Sequence, residues 1–176
     1  MVAMLLSSVG DIFMVNADKI GQYSTYIGAG LFIAAHIIYG TGFYEDTKAK
    51  GKKIFNPSFY VGLALMIISV LWLGYEEFFV ASEKKPIMFF LILIYISAIG
   101  YNVCSQFSYA GNEKGASMIL PPAIIVFYIT DIFIFLNMLN INNGLRQYVW
   151  FAYPVAQLAI ILFNGKFEKK KAYQIL

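Results

Sequence analysis

The chain has 176 residues, of which 60% are hydrophobic and 13% charged, against about 45 to 50% apolar and about 25% charged in a soluble domain. This balance excludes an ordinary soluble domain and marks a membrane protein. The 13 Lys and Arg against 10 Asp and Glu leave +3, too few and too scattered for a nucleic-acid face, while one cysteine and one histidine exclude an internal disulfide and the ligand set of a zinc site.

A bilayer core requires about 20 apolar residues per helix, and six runs meet this approximately: span A over residues 1–16, B over 24–44, C over 57–75, D over 87–108, E over 118–139 and F over 147–164. The runs lack the alternation of an outer-membrane barrel. The expected fold is therefore all-α, a polytopic transmembrane helical bundle forming one integral membrane domain over residues 1–176. Orientation follows from the basic residues of the short loops. Lys48, Lys50, Lys52, Lys53, Lys114, Lys166, Lys169, Lys170 and Lys171 lie on one side, and Lys19, Lys84, Lys85 and Arg146 on the other. Nine against four predicts cytoplasmic termini, with the Lys-rich tail touching anionic lipid.

Span A carries Ser7, Ser8, Gly10 and Asp11 inside an apolar stretch, without a positively charged n-region, so a secretory signal is not expected. Span B is Gly- and Ala-rich, GLFIAAHIIYGTGF. Its Gly28, Gly30 and Ala34 allow close helix approach, and His36 with Tyr39 at i+3 share one face. The histidine could position a carboxyl or relay a proton; it also suits a packing role. Span D ends in a polar stripe of Ser97, Tyr101, Asn102, Ser105 and Gln106, explained by interhelical hydrogen bonds or by a head-group pocket. Pro121 and Pro122 of span E should prevent a regular first turn. Asp131 follows within IIVFYITDIFIFL, and span F places Tyr153 and Gln157 four apart.

Eight of the ten acidic residues lie in loops or tails, leaving Asp11 and Asp131 within spans. A carboxylate at such depth costs on the order of 3 kcal/mol on insertion scales, which makes both functional candidates. At about 1.5 Å per residue, Asp11 lies roughly 8 Å and Asp131 roughly 12 Å below the outer end of its span, and His36 roughly 18 Å.

The segments SSVGDIFM, GLFIAAHIIYGTGF, the ITD of span E and YPVAQLAI, in this order along nearly the whole chain, resemble the YhhN-like lysoplasmalogenase family of multi-pass membrane proteins. Thr130 stands before Asp131 where Ser is common in that family. Its members have about eight spans, two of them ahead of the Gly-Asp helix, so the resemblance implies two N-terminal helices absent from these six. It further implies hydrolysis of the vinyl ether bond of lysoplasmalogen, giving a fatty aldehyde and glycerophosphoethanolamine or glycerophosphocholine. Asp11 and Asp131 match the family's catalytic pair. His36 and Gln157 would orient water or the ether oxygen, supported by Tyr39 and Tyr153.

Vinyl ether cleavage begins with protonation of the β-carbon to an oxocarbenium ion. Water then adds, and the hemiacetal collapses to aldehyde and alcohol. Two carboxyls in different surroundings can divide the acid and base roles. Asp131, deeper and flanked by Phe127 and Ile132, suits the acid, and Asp11, near Ser7 and Ser8, the ionised partner. The expected partners are a lysophospholipid, water and membrane lipid, with no cofactor and no metal, in a bacterial cytoplasmic membrane or the endoplasmic reticulum. Two other function classes fit the same residues: a proton-coupled transporter using Asp11, His36 and Asp131 as a relay, and a non-catalytic lipid-binding scaffold.

Overall fold

The computed structural model describes residues 2–21, 23–75, 86–112, 120–138, 151–158 and 160, and among them every regular element is helical. The helices are α1 (Val2–Val15), α2 (Ala17–Ile20), α3 (Tyr23–Ala49), α4 (Pro57–Tyr75), α5 (Pro86–Asn112) and α6 (Leu120–Met138). Residues 151–158, within the expected span F, are helical too. The basic residues Lys84, Lys85, Lys114, Arg146, Lys166, Lys169, Lys170 and Lys171, on which the orientation partly rests, lie outside the described residues.

The chain forms two compact units, Met1–Tyr109 and Ala110–Leu176. In the first, α1 and α3 are an antiparallel helical pair joined by the single turn α2. Asn16 closes α1 through its side-chain amide, which donates to Ile12 O at 2.8 Å. Gly21, at φ 100°, takes the left-handed conformation that a side chain would disfavour. Buried Ser24 then donates to Phe13 O at 2.5 Å, tying the start of α3 to the end of α1.

The two helices touch at a pair of glycines. A Cβ on Gly28 would stand 3.2 Å from Gly10 O, and one on Gly10 would stand 3.3 Å from Gly28 O. Backbone therefore meets backbone here, the close approach that small residues permit between helices in lipid. Gly30, by contrast, is exposed and faces open space, so of the small residues of span B Gly28 makes the close contact and Gly30 does not.

Helix α3 is 27 residues long, about 40 Å at 1.5 Å per residue. Two of its glycines, each unfavourable by about 1 kcal/mol in an aqueous helix, stand where a side chain would clash: a Cβ on Gly28 would lie 2.7 Å from the Met14 side chain and one on Gly40 2.7 Å from the Tyr101 ring. The helix ends in a Schellman cap: Gly51 is at φ 64°, its N–H donates to Lys48 O and that of Lys52 to Thr47 O, satisfying carbonyls the helix leaves open. Next, Asn56 caps α4, accepting from Phe59 N at 2.9 Å, with Pro57 at the first helical position, where its missing N–H is harmless.

Helix α5 reaches α3 at Gly40, where an added Cβ would lie 3.0 Å from Asn102 Cα. It meets α4 through Asn56 and Ser108: the Asn56 amide donates to Ser108 O at 2.8 Å and the Ser108 hydroxyl to Ile54 O at 2.6 Å.

Among the described residues, Tyr23–Ala49 is long and apolar enough to cross a membrane; Val2–Met14, Pro57–Leu73 and Leu120–Phe133 are shorter apolar stretches. Large apolar side chains also face outward. On α1 these are Val2, Leu5, Val9 and Ile12, and on α4 Ile67, Ile68, Leu71 and Trp72. Buried polar side chains include Ser7, Ser24, His36, Asn102, Ser105 and Gln106 in the first unit and Thr130 and Asp131 in the second.

In the second unit, α6 runs as a helix through Pro121 and Pro122, so the expected irregular first turn is not formed. Both prolines fall in the first turn, where an N–H has no intrahelical acceptor to lose.

Candidate functional site

The polar residues singled out along the sequence fall into both units. In Met1–Tyr109 they are Asp11, His36 and Tyr39; in Ala110–Leu176 they are Asp131, Tyr153 and Gln157.

Asp11 follows the Gly10 contact on α1 and is half-buried. The hydroxyls expected to polarise its surroundings serve another purpose: Ser7 donates to Ala3 O at 3.1 Å and Ser8 to Met4 O at 3.0 Å. Each is spent on its own helix, a common fate of Ser and Thr in helices.

His36 lies on the buried face of α3 with Phe32, Ala35, Gly40 and Phe43. Tyr39, one turn on, is half-buried. The partner of the ring comes from α5: Asn102 Nδ2 stands 3.1 Å from His36 Nδ1, and Gln106 Nε2 donates to Asn102 Oδ1 at 2.7 Å. Tyr95 presents its ring edge-on to the imidazole, centroids 6.1 Å apart at 83°. His36, Asn102 and Gln106 are each at most 1% exposed. Sequence spacing relates residues on one helix, as it does His36 and Tyr39; the cross-helix partner of His36 depends on the contact at Gly40. The available signal was the i, i+4 spacing of Asn102 and Gln106. Of the polar stripe on span D, Ser97 and Tyr101 face outward, leaving Asn102, Ser105 and Gln106 inside.

Interhelical hydrogen bonds in membranes average about 0.6 kcal/mol, whereas a buried polar atom without a partner costs about 1 to 3 kcal/mol; among the described residues, Gln106 Oε1 is buried without a hydrogen-bond partner.

In the second unit Asp131 is fully buried on α6, and no shift of helix register is needed to put it there, since Ala123, Ile124, Phe127, Tyr128 and Ile132 are buried with it. The preceding Thr130 donates to Phe127 O at 2.6 Å, so its proton is not offered to the carboxyl. Phe127, one turn before Asp131, stacks on Tyr153 with centroids 5.4 Å apart and planes at 22°. The Tyr153 hydroxyl accepts from Gln157 Nε2 at 2.7 Å, joining the two residues whose i, i+4 spacing had placed them on one face. This leaves Gln157 Oε1 as an acceptor and the Tyr153 O–H as a donor for other groups. Among the described residues no cluster of three or more His, Cys, Asp or Glu is arranged to hold a metal.

Comparison with known proteins gives three results. The ATP synthase protein I of Vibrio alginolyticus is 26% identical over 113 residues, 64% of this chain and 83% of that protein; the ATP synthase protein I of Vibrio cholerae serotype O1 is 27% identical over 104 residues, 58% of this chain and 78% of that protein. No solved structure matches. The profile of the YhhN family matches residues 1–163, a span that takes in Asp11, His36, Asp131 and the Tyr153–Gln157 pair, and the chain belongs to the YhhN family.

Proposed function

We propose that the chain is an integral membrane hydrolase of several spans that cleaves the vinyl ether bond of lysoplasmalogen. The observation that carries this reading is Asp131, a carboxyl fully buried on an apolar helix. Supporting it, large apolar side chains are exposed on the helices while polar ones, His36, Asn102, Gln106 and Asp131 among them, are buried, the arrangement expected in lipid.

Asp131 acts as the general acid, delivering a proton to the β-carbon of the vinyl ether. The oxocarbenium ion is captured at its α-carbon by water, whose proton passes to the second carboxylate, Asp11. The hemiacetal then collapses, breaking the bond to the glycerol oxygen, which takes up a proton. One water is consumed, and an aldehyde and a glycerophospho-alcohol are released. The same reading gives His36 and Gln157 the orienting of water or ether oxygen, and Tyr39 and Tyr153 a supporting role. The substrate arrives laterally from the bilayer, and the termini face the cytoplasm.

The test is aldehyde release by purified full chain in lipid. General acid–base groups contribute about 10²- to 10⁴-fold, so Asp131→Asn and Asp11→Asn should each reduce release by a factor in that range while helicity is kept. Full turnover in both variants contradicts the assignment.

A second reading, a non-catalytic membrane protein attached to an ATP synthase, is favoured by the names of the two Vibrio relatives. It predicts no aldehyde release and co-purification with ATP synthase from the native membrane.

A further inference from the structure

The connection between α3 and α4 gathers charge at the end of a helix of membrane length. From Tyr23 or Tyr26 to Tyr44 is about 27 to 32 Å along α3 at about 1.5 Å per residue, which brackets the roughly 30 Å of a hydrocarbon core. Tyr23 and Tyr26 are exposed, and tyrosines gather at the membrane–water interface, so Tyr44 marks the level at which α3 leaves the lipid. Lys48 follows one turn later and is exposed.

Of the lysines in this connection, Lys50 is drawn into the fold. Its ammonium pairs with Asp46 at 3.0 Å, donates to the Tyr109 hydroxyl at 3.2 Å and stands 4.5 Å from the centre of that ring. Lys48, Lys52 and Lys53 are exposed. The Schellman cap turns the chain back at Gly51, so that Lys52 N–H reaches Thr47 O and Lys48 and Lys52 come within one turn of each other. Among the described residues nothing lies within 4 Å of a Cβ added to Gly51, so the turn projects outward. With Asp46 and Lys50 bonded to each other, three positive charges stand here against the one negative charge of Glu45. The residues that follow are aromatic rather than acidic. Phe55 is 68% exposed and Tyr60 56%, and Phe59 lies edge-on to both, with centroids 5.0 and 5.7 Å away. Val61, Ile67, Ile68 and Leu71 continue the exposure along α4. A basic turn bordered by exposed aromatics and running into an apolar helix face repeats the layers of one leaflet, phosphate outermost and acyl chain beneath. An acidic protein or a soluble anion would meet the lysines alone.

We propose that Lys48, Lys52 and Lys53 form a surface for anionic phospholipid, with Phe55 and Tyr60 seated among the head groups. Lys50 holds the turn against Tyr109 and takes no part in the lipid contact. The choice of a lipid partner rests on the membrane part of the reading above, not on the reaction.

The full chain in neutral detergent micelles is offered phosphatidylglycerol and phosphatidylcholine with identical acyl chains, and the retained lipid is counted by native mass spectrometry. A lysine at an anionic surface contributes about 1 kcal/mol, or about fivefold, so the net charge of the turn should favour phosphatidylglycerol by about twentyfold. Lys48→Gln combined with Lys52→Gln should abolish the preference, and Lys48→Arg combined with Lys52→Arg should keep it. Lys19→Gln, in the turn between α1 and α3 where Asp18 adjoins the lysine, should leave it unchanged; a fall as large as in the glutamine pair overturns the location. Equal retention of the two lipids by the wild type overturns the proposal, as does an undiminished preference in the glutamine pair. Displacement of phosphatidylglycerol by inorganic phosphate or by soluble polyglutamate at fixed ionic strength assigns the lysines to a soluble anion or an acidic protein and overturns the lipid. A chain that stays dissolved without detergent contradicts the membrane reading, whereas one that needs detergent and shows no preference contradicts this surface alone.

Discussion

Two neighbouring residues on α6 separate what a hydroxyl and a carboxyl do at one depth. Thr130 is bonded to Phe127 O and Asp131 is enclosed. Thr130→Val should therefore change stability by no more than about 1 kcal/mol, the net value of one hydrogen bond, and leave turnover within a few-fold, whereas Asp131→Asn removes it. Paired thermal denaturation and aldehyde assays check this, and a loss in Thr130→Val comparable to that in Asp131→Asn would make the hydroxyl a partner of the carboxyl. The importance of Asp131 was legible in the sequence because charge is scarce and its flanks are apolar. The destination of the Thr130, Ser7 and Ser8 protons was not, because a helical carbonyl three or four residues back competes with any partner and leaves no mark on composition.

At the level of the element, helix contacts are set by absent side chains. Gly40→Ala would bring a Cβ to 2.7 Å from the Tyr101 ring and 3.0 Å from Asn102 Cα. The ring can rotate away; the backbone can only shift. Overpacking of this kind costs about 1 to 3 kcal/mol, and by pushing α5 from α3 it should also weaken the His36–Asn102 bond, visible as a changed ¹⁵N signal of His36. A variant of wild-type stability with an unchanged signal would show that the contact is loose. Asn56 joins two functions, capping α4 and reaching Ser108 on α5. Asn56→Ala should destabilise by about 1 to 2 kcal/mol, and Asn56→Asp should recover the capping part alone, by thermal melts. The helices themselves were close to their expected limits, since long apolar runs fix them. Helix α3 extends five residues beyond the expected end of span B at residue 44, because the polar turn Glu45–Ala49 stays helical up to the Gly51 cap. The turn α2 was unforeseen, since four residues carry no periodicity. His36 and Asn102 could not be paired from spacing, as their meeting follows from where α3 and α5 cross.

At the scale of the whole molecule, the chain is a helical member of the YhhN family that exposes large apolar side chains on α1 and α4 and buries polar groups such as His36 and Asp131 within its units. The YhhN family was legible from the order of four short motifs, each weak alone and joined by similar spacing. The reaction is the step beyond family membership, and the names of the Vibrio relatives supply its rival. Both are decided by following one hydrogen atom. Full-length protein in lipid is incubated with lysoplasmenylethanolamine in D₂O, and any aldehyde is trapped by reduction to the alcohol. Protonation of the β-carbon by an exchangeable carboxyl predicts a product with one deuterium on the carbon next to the former aldehyde carbon, and no product from the saturated alkyl-ether analogue. No aldehyde, or aldehyde without that deuterium, would contradict the account.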